Sequence, residues 1–254
     1  MKYSYEQLAK MIDHSLLHPT MTDDEMERGC RLAAEYQVAS VCIKPYYVRR
    51  AAELLQGTGV AVGTVIGFPH GGATSDVKRF ETETACRDGA TEIDMVINIG
   101  KALSGDWEYV ERDIRRVVEC AHSHGAIVKV IFENDFITED APKIRLCQIC
   151  ERAQADFVKT SSGYGFVKGA DGKYSYQGAT GHDLKLMRAS CSPRVQVKAA
   201  GGVRDLDGLI HCRDLGVSRV GATATAAMLD EFKRRTKPGM TGKAPAGSLG
   251  SGDY

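Results

Sequence analysis

The sequence predicts a single (β/α)8 barrel, and three observations carry that prediction. The chain has 254 residues, close to the roughly 250 typical of one such barrel. Eight short apolar runs alternate with longer amphipathic segments. No early run is followed by the glycine-rich dinucleotide fingerprint that usually marks a doubly wound open sheet, the competing arrangement. Strict alternation implies right-handed crossovers and a parallel sheet, and runs without strong polar alternation suit strands covered on both faces.

The strand candidates are 12–17, 40–44, 62–68, 92–98, 127–133, 156–161, 195–200 and 219–223. Helix signals fill the intervals. Thr22-Asp23-Asp24-Glu25 is a capping box, in which the glutamate reaches back to the cap amide, and it opens a helix running through Tyr36. Over 107–124, Val110, Ile114, Val117, Val118 and Ala121 recur at helical spacing, with Gly125 as the stop. The barrel domain is therefore expected over 1–235. Residues 236–254 are rich in Gly, Pro and Ser without periodicity, and read as a flexible tail ending in Tyr254.

Charge excludes several classes of function. The 33 basic residues equal the 33 acidic ones, which argues against a nucleic-acid or membrane-surface protein that binds through clustered Lys and Arg. The N-terminus lacks the apolar stretch of a secretory signal, and no run approaches 18 uncharged apolar residues, so a soluble, cytoplasmic protein is expected. Eight cysteines are dispersed through apolar segments as buried reduced thiols are. The pair Cys147 and Cys150 sits inside a helical pattern, with no second pair and no histidine at zinc-finger spacing, so no metal site is expected.

The informative residues are polar ones in the middle of strands. Lys129, Lys159 and Lys198 each interrupt an apolar run, and Asp94 does so in a fourth. One such lysine could lie at a strand end and snorkel to solvent. Three of them plus an aspartate, at matching places, point to use, because a buried ammonium is costly unless paired. A free lysine is neutral in roughly one molecule in 2,500 at pH 7, and only the neutral amine attacks a carbonyl. A second ammonium about 4 Å away disfavours the charged form by about 4 kcal/mol, close to three powers of ten in the proton equilibrium. The constellation suggests Schiff-base catalysis on an aldehyde or ketone, with one lysine as nucleophile, one to depress its pKa and a carboxylate to move protons. Gly201-Gly202 after the seventh run and Gly221 with Thr223 in the eighth sit where barrel enzymes commonly hold a phosphate on backbone amides.

These motifs resemble those of the deoxyribose-phosphate aldolases. The similarity rests on Asp13-His14-Ser15-Leu16-Leu17, Val41-Cys42-Ile43-Lys44-Pro45, Val65-Ile66-Gly67-Phe68-Pro69-His70-Gly71 and Glu92-Ile93-Asp94-Met95-Val96-Ile97-Asn98. It continues through Lys129-Val130-Ile131-Phe132-Glu133, Phe157-Val158-Lys159-Thr160-Ser161-Ser162-Gly163 and Val197-Lys198-Ala199-Ala200-Gly201-Gly202-Val203-Arg204, in register over about 8–232. The resemblance implies reversible cleavage of 2-deoxyribose 5-phosphate to acetaldehyde and glyceraldehyde 3-phosphate, with no metal or other cofactor. It implies Lys159 as the Schiff-base lysine, Lys198 as the group lowering its pKa, and Asp94 as a proton shuttle. Asp13, Cys42, Lys129, Thr160 and Gly163 join the glycines and Thr223 as expected substrate-binding residues, and a homodimer with small aldehyde and sugar-phosphate partners is implied.

The departures fall at the substrate end. The family usually carries two serines after the strand-eight glycine; here they are Thr223 and Ala224, whose amide remains available for phosphate. The segment 165–177 is longer than usual and could add Lys168 or Lys173 to the phosphate site, or reshape the pocket for a related or unphosphorylated deoxy sugar. His18 replaces a common lysine. Some family members carry a C-terminal tyrosine that reaches the active site, a role open to Tyr254. A phosphate-binding isomerase that forms no imine is the competing reading from outside the aldolases.

Overall fold

The computed structural model describes residues 1–237. After α1 (Tyr5–Ala9) the chain runs through β1 (Ile12–Leu16), α2 (Asp23–Tyr36), β2 (Ser40–Ile43), α3 (Val48–Leu55), β3 (Ala61–Ile66), α4 (Ser75–Arg87) and β4 (Glu92–Val96). Two helices follow, α5 (Ile99–Leu103) and α6 (Trp107–Ser123), then β5 (Ile127–Ile131), α7 (Asp140–Ala153) and β6 (Phe157–Lys159). A small hairpin, β7 (Val167–Lys168) and β8 (Tyr174–Ser175), precedes α8 (Gly181–Ser190), β9 (Gln196–Ala200), α9 (Leu206–Asp214), β10 (Arg219–Ala222) and α10 (Thr225–Thr236). Eight parallel strands close a barrel in the order β1, β2, β3, β4, β5, β6, β9, β10, and β10 pairs back onto β1.

All eight expected strands are present, most of them trimmed at their C-terminal ends. The largest trimming is at 156–161, where regular pairing covers only Phe157–Lys159. Beyond Lys159 the ladder continues by single bonds. The Thr160 amide donates to the Lys198 carbonyl at 3.2 Å and the Thr160 carbonyl accepts from the Asn134 amide at 2.9 Å. The chain then turns into the loop carrying Ser162 and Gly163.

The capping box of α2 forms as expected. The Thr22 amide donates to the Glu25 carboxylate at 2.8 Å, and the Glu25 amide returns a bond to the Thr22 hydroxyl at 3.4 Å. Helix α6 buries Val110, Ile114, Val117, Val118 and Ala121, the larger of which contribute about 1.5–3 kcal/mol each by leaving water. Gly125 follows with φ +75°, a left-handed conformation that costs glycine little.

One link between helices has no counterpart in the periodicity. Lys78 of α4 is fully buried, donates to the Val96 carbonyl at 2.9 Å and pairs with Asp113 of α6, whose other oxygen accepts from Ser75 at 2.7 Å. All eight cysteines are free thiols, with Cys147 and Cys150 buried in α7. No helix among the described residues is long and apolar enough to cross a membrane. Helix α10 runs to Thr236, one residue past the expected domain end. The rest of the expected tail, with Tyr254, lies outside the described residues.

Candidate active site

Strand register builds the site. Paired residues in neighbouring parallel strands point to the same side of a sheet, and alternate residues along a strand share a face. Val65 pairs with Asp94, and Asp94 pairs with Lys129. Two residues further along β5, Ile131 pairs with Lys159, Lys159 with Lys198, and Lys198 with Arg219. Asp13 pairs with Ser40 on one side and Gly221 on the other. One continuous inward face therefore carries Asp13, Glu92, Asp94, Lys129, Lys159, Lys198 and Arg219.

These groups form a single charge network. The Lys159 amine donates to Asp94 Oδ2 at 2.8 Å, and the Lys198 amine donates to the same oxygen at 2.7 Å. Lys198 also pairs with Asp13 at 2.6 Å. Lys129 meets three carboxylates, Glu92 at 2.6 Å, Asp94 at 2.9 Å and Asp13 at 3.3 Å. Arg219 closes the lower end, bonding Asp13 and both oxygens of Glu92 at 2.8 and 3.0 Å. The Cys42 thiol lies 3.9 Å from Asp94 Oδ2.

The arrangement distinguishes the lysines. With everything ionised, four cations face three carboxylates in a volume shielded from water, where an uncompensated charge is expensive. Lys159 contacts one carboxylate, Lys198 two and Lys129 three. The proton that is cheapest to lose is therefore the one on Lys159. Burial lowers the Lys159 pKa below its ordinary 10.5, with Lys198 adding to the effect against the opposing pull of Asp94. Burial would also lower Lys198, but Asp13 and Asp94 outweigh it and hold that amine above the ordinary value. Burial alone would raise Asp94; Lys129, Lys159 and Lys198 together hold it well below the usual carboxylate range. Loss of solvent thus ranks ahead of the neighbouring lysine as the cause that lowers the Lys159 pKa.

Above the network, at the C-terminal ends of the strands, opens a cavity of about 280 Å³ with Lys159 in its lining. This is the face on which barrel enzymes carry their sites. Gly163, Gly201, Gly202, Gly221 and Thr223 line it, and so does His18, whose Nδ1 is hydrogen-bonded to Thr20 at 2.8 Å. Gly201 and Gly202 have φ of +82° and +84°, backbone that side-chain-bearing residues rarely adopt.

Other expected residues take different places. Asp13 and Lys129 are buried in the network beneath the cavity. The Thr160 hydroxyl is buried and bonded to the backbone nitrogen and oxygen of Ala200, at 3.1 Å each, tying β6 to β9. Ala224 precedes α10 outside the lining, and Lys168 and Lys173 are exposed on the hairpin, outside it as well. Residues not singled out from sequence complete the picture. Arg204, Ser162, Tyr164 and Tyr176 line the cavity, and Glu92 and Arg219 complete the network. Arg204 directly follows the Gly201-Gly202-Val203 turn, a cation beside a glycine turn of the kind expected to bind an anion, which is a usable sequence signal. Among the described residues one group could offer metal ligands, Asp140, His182 and Asp183. It lies outside the cavity lining, and its Asp183 is paired with Lys143 at 2.6 Å.

Comparison with known proteins agrees with this chemistry. Residues 7–222 match the model of the DeoC/LacD family aldolases. A deoxyribose-phosphate aldolase of Rhodopirellula baltica is 51% identical over 92% of both chains, and one of Clostridium perfringens is 46% identical over 89% of this chain and 95% of the relative. Among solved structures, a putative deoxyribose-phosphate aldolase from Coccidioides immitis superposes with a TM-score of 0.83 at 35% identity, covering 91% of this chain and 87% of the other. The enzyme from Aeropyrum pernix, described as a tetramer, gives 0.80 at 32% identity, covering 91% and 92%. The chain belongs to the DeoC/LacD aldolase family.

Proposed function

We propose that this protein is a class I aldolase that reversibly cleaves 2-deoxy-D-ribose 5-phosphate to acetaldehyde and D-glyceraldehyde 3-phosphate. The observation that carries the reading is Lys159, the one network amine in the cavity lining and the one with a single carboxylate contact. Its neutral amine adds to the sugar aldehyde and loses water to give a protonated imine, the electron sink for breaking the bond between carbons two and three. Asp94, hydrogen-bonded to both Lys159 and Lys198, relays protons: away from the carbon-three hydroxyl as that bond breaks, and back to carbon two of the resulting enamine. Hydrolysis then releases acetaldehyde. The sugar phosphate end fits the opposite wall, where Gly201 and Gly202 present backbone amides beside Thr223 and Arg204.

Acetaldehyde with borohydride should inactivate the enzyme irreversibly and add the mass of one ethyl group at Lys159 alone; a label elsewhere, or none, overturns the assignment. A second reading, a related or unphosphorylated deoxy sugar, is favoured by Ala224 standing where the family usually has serine. The ratio of kcat/KM on phosphorylated and free deoxyribose separates the two. An isomerase without imine chemistry would keep its activity in Lys159→Met. The proposal extends to a cytoplasmic homodimer, which sedimentation of the purified chain tests.

A further inference from the structure

We propose that Tyr176 is a specificity-determining residue, the wall that restricts the cavity to substrates ending in a phosphate monoester. Tyr176 lines the 280 Å³ cavity on one side and, on the other, an outer groove of about 940 Å³ that includes Asn134, Asp135 and Lys143. It is the one residue common to both linings. The residue is only 6% exposed, and its ring rests against the glycine turn assigned to phosphate. A methyl group built on Gly201 would lie 3.3 Å from Tyr176 Cε2.

The ring is held from three directions. Phe166 packs edge-on against it at 5.3 Å between centroids. The β7–β8 pairing, Val167 with Ser175 and Lys168 with Tyr174, fixes the chain that leads into it. Asp135 accepts from the amides of Gln177 and Gly178 at 2.5 and 3.0 Å, and the Ala179 amide donates to the Gly201 carbonyl at 3.1 Å. The long 165–177 segment therefore delivers an aromatic partition rather than a cation. With the ring in place, a phosphate on the Gly201-Gly202 amides has no room for a further substituent. Without it, cavity and groove become continuous.

This inference rests on the sugar-phosphate reading, and the experiment separates the two. kcat/KM is measured for 2-deoxyribose 5-phosphate and for its phenyl phosphodiester, with wild type, Tyr176→Ala, Tyr176→Phe and Phe166→Ala. Wild type should prefer the monoester. Tyr176→Ala should shrink that preference by about tenfold or more, the scale on which pocket shape discriminates, through a higher KM for the monoester and a lower one for the diester. Tyr176→Phe should keep the preference within about twofold, and Phe166→Ala should fall between. If Tyr176→Ala does not fold by circular dichroism, Phe166→Ala and Tyr176→Leu decide. An unchanged preference in a folded variant lacking the ring overturns the partition while leaving the aldolase reading intact. A wild type inactive on the monoester overturns both.

Discussion

The lower and upper halves of the barrel interior are built on opposite principles. From Lys159 downward, seven charged side chains hold one another, all but Lys159 through two or more partners, and every one arises from a strand. Above it, the cavity is walled by glycines, hydroxyls, Arg204 and two tyrosines, most of them on loops. The lower half fixes a protonation state and the upper half fixes a shape. A network of that density resists change, because removing a carboxylate leaves buried cations uncompensated. The loops tolerate variation, and the departures from family pattern at Ala224, His18 and the 165–177 segment all fall there.

The largest effect should come from the carboxylate shared by the lysines. Asp94→Asn keeps the shape but leaves Lys159 and Lys198 without their common acceptor charge. kcat should fall by about 10²–10⁴, the range for loss of an acid–base group. Denaturant melts should show a cost of about 3–5 kcal/mol for the broken buried pairing. A variant with near-normal kcat would show that proton transfer does not pass through Asp94.

The next test alters the charge count from a distance. Arg219 lies at the far end of the network and bonds Asp13 and Glu92 rather than Lys159. Arg219→Met leaves three carboxylates facing three lysines, so the ammonium form of Lys159 gains relative stability. In wild type the Lys159 pKa lies below 10.5, so the neutral amine increases as pH rises through that lowered value. The acid limb of kcat/KM should therefore lie below the ordinary lysine range. In Arg219→Met it should move to higher pH, with a loss of up to about tenfold in kcat/KM at a fixed pH on the limb. An unmoved limb would mean that Arg219 plays no part in setting the protonation of Lys159.

Strand periodicity explains which of these groups were legible in the sequence. A lysine or aspartate within an apolar run is anomalous wherever a core is expected, so Asp94, Lys129, Lys159 and Lys198 stood out. Glu92 and Arg219 obey the same rule, since Glu92 lies two residues before Asp94 and Arg219 pairs with Lys198. Charges at strand ends are ordinary, however, and carry no such signal. No period exists in loops, so nothing in the sequence tells that Tyr176 reaches the cavity while Lys168 and Lys173 do not. Lys78 and Asp113 sit on helices 35 residues apart, where each alone looks like a solvated charge.

Glu133 sits at the junction of the two halves and should give a smaller effect, chiefly on stability. It follows β5 with φ +59° and accepts from the Ser162 amide at 3.2 Å and from the Ser162 hydroxyl, so it anchors the loop after Lys159. Burial pushes its carboxyl up to about 7 from an ordinary 4.5. Between those values the folded state binds a proton that the unfolded chain does not, so this group's contribution to stability declines as pH rises from about 4.5 to 7. The decline amounts to about 3 kcal/mol at most. Glu133→Gln should flatten that part of the stability profile, measured by urea unfolding at several pH values. A profile with the wild-type slope would place the titration elsewhere.

The smallest effect should come from the hairpin lysines, and it bears most directly on how the upper half recognises its substrate. By sequence, Lys168 and Lys173 are candidates for phosphate binding because two added cations in a βα loop could strengthen an anion site. In the structure both are exposed and outside the cavity lining, and the Lys168 amine lies 5.9 Å from the centre of the Tyr174 ring. A charge there acts on the cavity only through solvent, and at physiological ionic strength its field is largely screened beyond about 8 Å. Lys168→Ala with Lys173→Ala should therefore change the KM for the phosphorylated sugar by less than about twofold at 0.15 M salt, with kcat held. At low salt the loss should grow modestly as screening weakens. A tenfold rise in KM at physiological salt would require the hairpin to fold down over the bound phosphate, and would transfer part of recognition from the Gly201-Gly202 backbone to the inserted loop.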